Sequence, residues 1–206
     1  MITLEVLNEP YFCRTKDQLW YQETRTVIDM IIKENKTFED IGEAAEKSNL
    51  FNASSVSRAT DIRRAVVRRI QSVDKEFLNF FLRQNSEVQL QLCIAMVMLT
   101  DHTFLDFMDS VYREKLIKGD FCLKYSDLIG FLHSLQDRDQ RASKWTDVGL
   151  KDITQSYRSM LKEAGMASET GRDRKIIRPL ISRETEDFLK EDGLEYIYKI
   201  LAGERE

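Results

Sequence analysis

Apolar residues recur through most of this chain at three- and four-residue intervals, the spacing of helices that bury one face. Leu19, Val27, Met30 and Ile31 predict a first helix over 16–35, and Thr37 with Asp40 three residues on opens a short one reaching Lys47. In the stretch 54–73, Ala59, Ile62, Val66, Ile70 and Val73 fall within about 80° of one another on a helical projection, a stripe that packs on a core. Asp74 and Asn85-Ser86 read as caps for helices over 75–83 and 87–100, the second being the most hydrophobic of the protein. An amphipathic helix over 102–118 ends at Gly119, which suits a left-handed cap. Ser126 is expected to cap a helix through Gln136, followed by a charged loop over 137–144. Thr146 opens a long helix that closes at Gly165. Ser168–Asp173 reads as a polar turn, and Pro179 makes 175–181 extended, before two short helices over 183–190 and 194–201. Residues 1–15 hold Pro10 and no period, so they read as an arm or a short strand.

The pattern predicts an all-α, compact multi-helix bundle with one short extended basic segment near 174–182. At 206 residues the chain can build one sizeable core or two helical subdomains that share an interface. The division expected is 1–75, holding the arginine-rich helix, and 76–206. Two prolines and eight glycines are few for an all-β alternative rich in turns. Phe77, Phe80, Phe81, Phe104 and Phe107 sit at helical spacing among leucines and are expected in the core. Trp20-Tyr21 and Trp145 adjoin polar residues and could face a partner.

Charge changes this picture locally rather than in total. Formal net charge is -4, yet the helix over 54–73 holds Arg58, Arg63, Arg64, Arg68 and Arg69 against one acid, Asp61. Arg64 and Arg68 point away from the apolar stripe, one turn apart; Arg58 and Arg69 border it on one side and Arg63 on the other. Surface helices normally interleave both signs at i,i+4, and this one does not. A planar guanidinium takes two phosphate oxygens and stays charged at working pH, so these five are candidate nucleic-acid contacts. Arg172, Arg174, Lys175 and Arg178 form a second candidate cluster on the turn and extended segment. Should the fold bring both together, they would form one basic track. The competing readings are a solvated charged face for the helix and a plain surface loop for the second cluster.

Enzyme chemistry finds little support. There are two histidines with no repeated ligand spacing, and no phosphate-binding glycine loop, dinucleotide fingerprint or nucleophile elbow. No catalytic residue, metal, cofactor or small-molecule substrate is therefore expected, although a hydrolase without motifs stays open. Cys13, Cys93 and Cys122 show no CxxC spacing, and Cys93 reads as a core residue. No signal peptide and no membrane span is read, so the expected location is cytoplasmic.

Two sections carry a family resemblance. Asn49-Leu50-Phe51 precedes the helix that ends Ala65-Val66-Val67-Arg68-Arg69-Ile70; further on, Tyr157-Arg158-Ser159-Met160-Leu161-Lys162-Glu163-Ala164-Gly165-Met166 precedes Ile177-Arg178-Pro179-Leu180-Ile181-Ser182. Their order and spacing resemble BrxA, the small helical component of bacterial BREX phage-exclusion systems, over roughly residues 20–190. The resemblance implies an all-α fold similar to the antitermination factor NusB. It also implies a non-enzymatic nucleic-acid-binding accessory of phage defence, with other BREX subunits as partners and the enzymatic steps in those subunits. Duplex DNA is the expected ligand. RNA is the alternative that follows NusB more literally, and a scaffold docking an acidic partner subunit is an alternative of a different class.

Overall fold

Side-chain caps set most of the helix starts. In the computed structural model, which describes residues 2–168 and 171–205, Thr37 and Asp40 close a reciprocal capping box that opens α2 (Phe38–Lys47). It follows α1 (Tyr21–Lys33). Ser55, Asp74 and Asn85 each accept a backbone N–H three residues on, opening α3 (Val56–Gln71), α4 (Lys75–Arg83) and α5 (Ser86–Met98). Thr146 does the same for α9 (Asp147–Glu163), and Ser182 for α10 (Arg183–Glu191). The last helix is α11 (Glu195–Ala202).

Four expectations shift. The helix over 102–118 is not uniform: α6 (His102–Phe107) runs into a π-helical turn, Met108–Arg113, and then α7 (Glu114–Lys118), which ends at Gly119 with φ 68°. The π turn carries Tyr112, which is buried and donates its hydroxyl to Ile177 O at 3.3 Å. Next, α8 spans Tyr125–Arg138 rather than starting after Ser126. Its first turn is closed by the Asp127 carboxylate, which accepts the Lys124 N–H at 2.8 Å, so the capping group sits inside the helix. The loop expected at 137–144 holds a short 3-10 turn, Ala142–Lys144. Finally, Trp20 and Tyr21 are buried rather than presented to a partner.

The arm begins with a 3-10 turn, Glu5–Asn8. The extended segment contributes β2 (Arg174–Lys175), antiparallel to β1 (Cys122–Leu123), with an isolated bridge from Ile176 to Ala167. Glu169 and Thr170, which belong to the expected polar turn at 168–173, lie outside the described residues.

The fold is all-α apart from this small sheet. Helix α5 is its centre, with Val88 and Leu92 through Met98 all buried, and the five phenylalanines expected in the core are there. Buried side chains from Ile2 to Leu201 form one cluster with members on both sides of the 75/76 boundary. Among the described residues no single helix is long and apolar enough to cross a membrane.

Candidate nucleic-acid interface

The arginine helix α3 turns Ala59, Ile62, Val66 and Ile70 inward and packs on α1, α2 and α5. Its other flank is covered by the arm, residues 11–18, pinned across it from several sides. Thr103 Oγ1 both accepts the Phe12 N–H and donates to the Phe12 carbonyl, each at 3.0 Å. The Tyr11 ring stacks on His102 at 4.3 Å, and its hydroxyl donates to Asp106, which Arg138 also pairs. Ser156 of α9 donates to the Asp17 carbonyl.

The five arginines take different jobs once the arm is in place. Arg69 is 1% exposed, donates to Leu19 O at 2.7 Å and lies 5.6 Å from the Trp20 ring. Burial pulls its guanidinium down to about 10, which leaves it charged at neutral pH. Arg69 is expected from sequence to contact phosphate but is instead an interior strut. At the edge of the apolar stripe, a residue is buried or exposed according to what lies over that flank, and here the arm and Trp20 do. Arg58 also lies over Trp20, at 5.2 Å, and donates to Lys16 O at 3.4 Å. Arg63 rests against α2, its Nη1 3.5 Å from where a side chain on Gly42 would begin. Arg68 pairs with Asp17 at 2.6 Å and keeps a third of its side chain exposed. Arg64 is exposed and, among the described residues, unpaired.

Between the arm and α3 lies a groove of about 350 Å³. Arg14, Lys16, Arg64 and Arg68 line it, against the acids Asp17 and Asp61. Lys16 reaches Asp61 only at 4.0 Å, and Arg14 stacks over the Phe12 ring at 4.8 Å. Arg14 and Lys16 were not among the candidates read from sequence. Their signal was slight: an aperiodic run, Tyr11-Phe12-Cys13-Arg14-Thr15-Lys16, with two cations and no acid. Beneath the groove Asp101 is 3% exposed, caps α6 through Phe104 N and has the Tyr157 hydroxyl at 3.5 Å. Burial pushes its carboxyl up to about 6, with Arg14 opposing the shift.

The second cluster is a separate structure. Arg174 is half-buried and donates to Ser168 O, while Arg178 donates to Ala202 O and so closes the end of α11. Arg172 lies 5.6 Å over Tyr125, whose ring also carries Arg158 at 5.5 Å. Arg158 is buried and donates to the carbonyls of Gly171 and Arg172. Only Lys175 and Arg172 are exposed without holding a backbone carbonyl. Ser156 faces the arm and Arg158 faces this turn; two residues apart on a helix, they lie about 200° around it. The clusters thus flank α9 on different sides. No hydrogen bond, ion pair or cavity joins them among the described residues. The described residues also hold no group of three or more His, Cys, Asp or Glu side chains placed for a metal ion.

The fold and site define an all-α protein with a small two-stranded sheet and a cation-lined groove between the arm and α3, and sequence comparison gives its family. The chain belongs to the BrxA family, whose model matches residues 13–193. A relative from Bacillus cereus (strain H3081.97), described as BREX protein BrxA, is 27% identical over 186 residues, covering 90% of this chain and 92% of the relative. The fold is shared with an uncharacterized protein of known crystal structure from Magnetospirillum magneticum, at a TM-score of 0.76 and 20% identity, covering 95% of this chain and 100% of that one.

Proposed function

We propose that this protein is a non-enzymatic, DNA-binding accessory of a BREX bacteriophage-resistance system, acting in the cytoplasm beside other BREX subunits. Family membership supports the place in phage defence. The groove carries the DNA reading: Arg14, Lys16, Arg64 and Arg68 outnumber Asp17 and Asp61 within one concavity, in a protein whose net charge is -4. Clustering of this kind creates a local positive field that the total charge hides. Phosphates of a duplex lying across the rim would meet Arg64 first and Lys16 beside it, contacts that position DNA without reading its sequence. Fluorescence anisotropy of the purified chain against duplex DNA and single-stranded RNA, over a salt series, tests this. Arg64→Ala is expected to weaken duplex binding and to reduce the log–log salt slope by ~0.9 for the one phosphate lost. No duplex binding at low salt by a folded protein would overturn the reading.

One observation favours a second reading. The Asp17 carboxylate already sits on Arg68 at 2.6 Å, so the groove accepts a carboxylate, and an acidic segment of a partner subunit would fit there. Binding of such a partner without any nucleic-acid affinity would select it.

A further inference from the structure

The groove's dimensions and its one aromatic ring say more than charge alone does. A volume of about 350 Å³ is at the small end of sites that enclose a ligand, and a duplex can only lie over it. Phe12 stands at this groove with 40% of its surface exposed. Its backbone is held in place by Thr103, itself 0% exposed, which bonds both the Phe12 N–H and the Phe12 carbonyl. Arg14 stacks on the ring at 4.8 Å and adds its charge to the same concavity. A pre-positioned aromatic ring beside cations is how proteins hold unpaired nucleotides: the base stacks and the phosphate meets the cation. Bases inside a duplex present edges to the grooves and have no free face to offer Phe12.

We infer that this groove takes one unpaired nucleotide of DNA, stacked on Phe12 with its phosphate at Arg64 and Lys16. The protein would then prefer duplexes that carry a single-stranded end or gap over continuous duplex. This rests on the reading of the groove as a nucleic-acid site, and adds to it a ligand class and a discriminating residue.

The test compares two labelled probes on the full chain: a duplex closed by hairpins at both ends, and the same duplex with a short single-stranded tail containing 2-aminopurine. Wild type is expected to bind the tailed probe at least about fivefold tighter, the low end of what stacking one base contributes. The 2-aminopurine fluorescence should fall on binding. Phe12→Tyr should keep the preference, and Phe12→Ala should bring the tailed probe to the affinity of the closed one. Both variants keep the backbone bonds to Thr103. Equal binding of the two probes by wild type, or a preference that survives Phe12→Ala, overturns the inference and leaves duplex binding standing. Tailed-probe binding with none to the closed duplex would do the reverse, removing the continuous-duplex reading and keeping this one. Binding to neither would remove both.

Discussion

Arg69 carries its charge into the protein interior, and its surroundings show why it can. The guanidinium donates to Leu19 O at 2.7 Å, lies over Trp20 and has Asp17 and Arg68 nearby in opposite senses. Removing it leaves a buried carbonyl without its donor and a cavity where the long stem packed. Arg69→Ala is expected to cost on the order of 3 kcal/mol in urea denaturation, and Arg69→Met, which fills the space, less. Asp101 gives a pH dependence with a definite sign. Its carboxyl titrates at about 6 in the fold against 3.8 unfolded, so the native state holds the proton more tightly. The stabilisation this gives is fully present below 3.8 and is lost as pH rises through about 6. Asp101→Asn keeps the acceptor for Phe104 N without the charge. Melting curves should show it as stable as wild type near the unfolded value and more stable above about 6; a gap that shrinks with rising pH would contradict the assignment.

At the scale of elements, α3 and the arm act as one unit. Arg58, Arg68 and Arg69 all reach the stretch from Lys16 to Trp20, so much of the helix's cationic character is spent holding the arm. The arm in turn brings Arg14 and Lys16 to the helix. Asp17 is the pivot, since it neutralises the arginine that would otherwise stand free in the groove. Asp17→Asn is expected to tighten duplex binding and steepen its salt slope by up to ~0.9, at a cost in stability because Asp17 also compensates the buried charge of Arg69. An unchanged slope would place Arg68 outside the contact. The caps at Thr37, Asp74 and Asn85 were legible because capping is a bond between residues three apart. The start of α8 was misread because two acceptors, Ser126 and Asp127, compete at that site and sequence does not rank them. The π turn at Met108–Arg113 was not legible: apolar spacing there also fits a regular helix, and the Tyr112 hydroxyl finds its partner at Ile177, far along the chain.

For the whole molecule, the two basic clusters have different duties on different flanks of α9. Arg174 and Arg178 hold carbonyls at the sheet and at the end of α11, which are structural tasks. An Arg172→Ala/Lys175→Ala double variant, which removes the two exposed cations of that cluster, is expected to leave the duplex salt slope within error of wild type. A shallower slope would show that a ligand reaches around α9 to both clusters.

The apolar stripes, the caps and the poverty of glycine and proline were enough by themselves to determine an all-α chain, and five arginines against one acid singled out α3 as a strongly basic helix. Those features act over three or four residues, and local chemistry writes them directly into the sequence. Which arginines face water was decided only by the tertiary structure. Arg69 lies within about 20° of the buried stripe on a helical projection, and Arg63 is as close on the other side. The arm crossing one flank and α2 covering the other determine their exposure. The groove exists only because residues 11–18 lie across a helix that begins some forty residues later. No local pattern specifies that crossing; Thr103, His102 and Ser156, from two other helices, hold it in place.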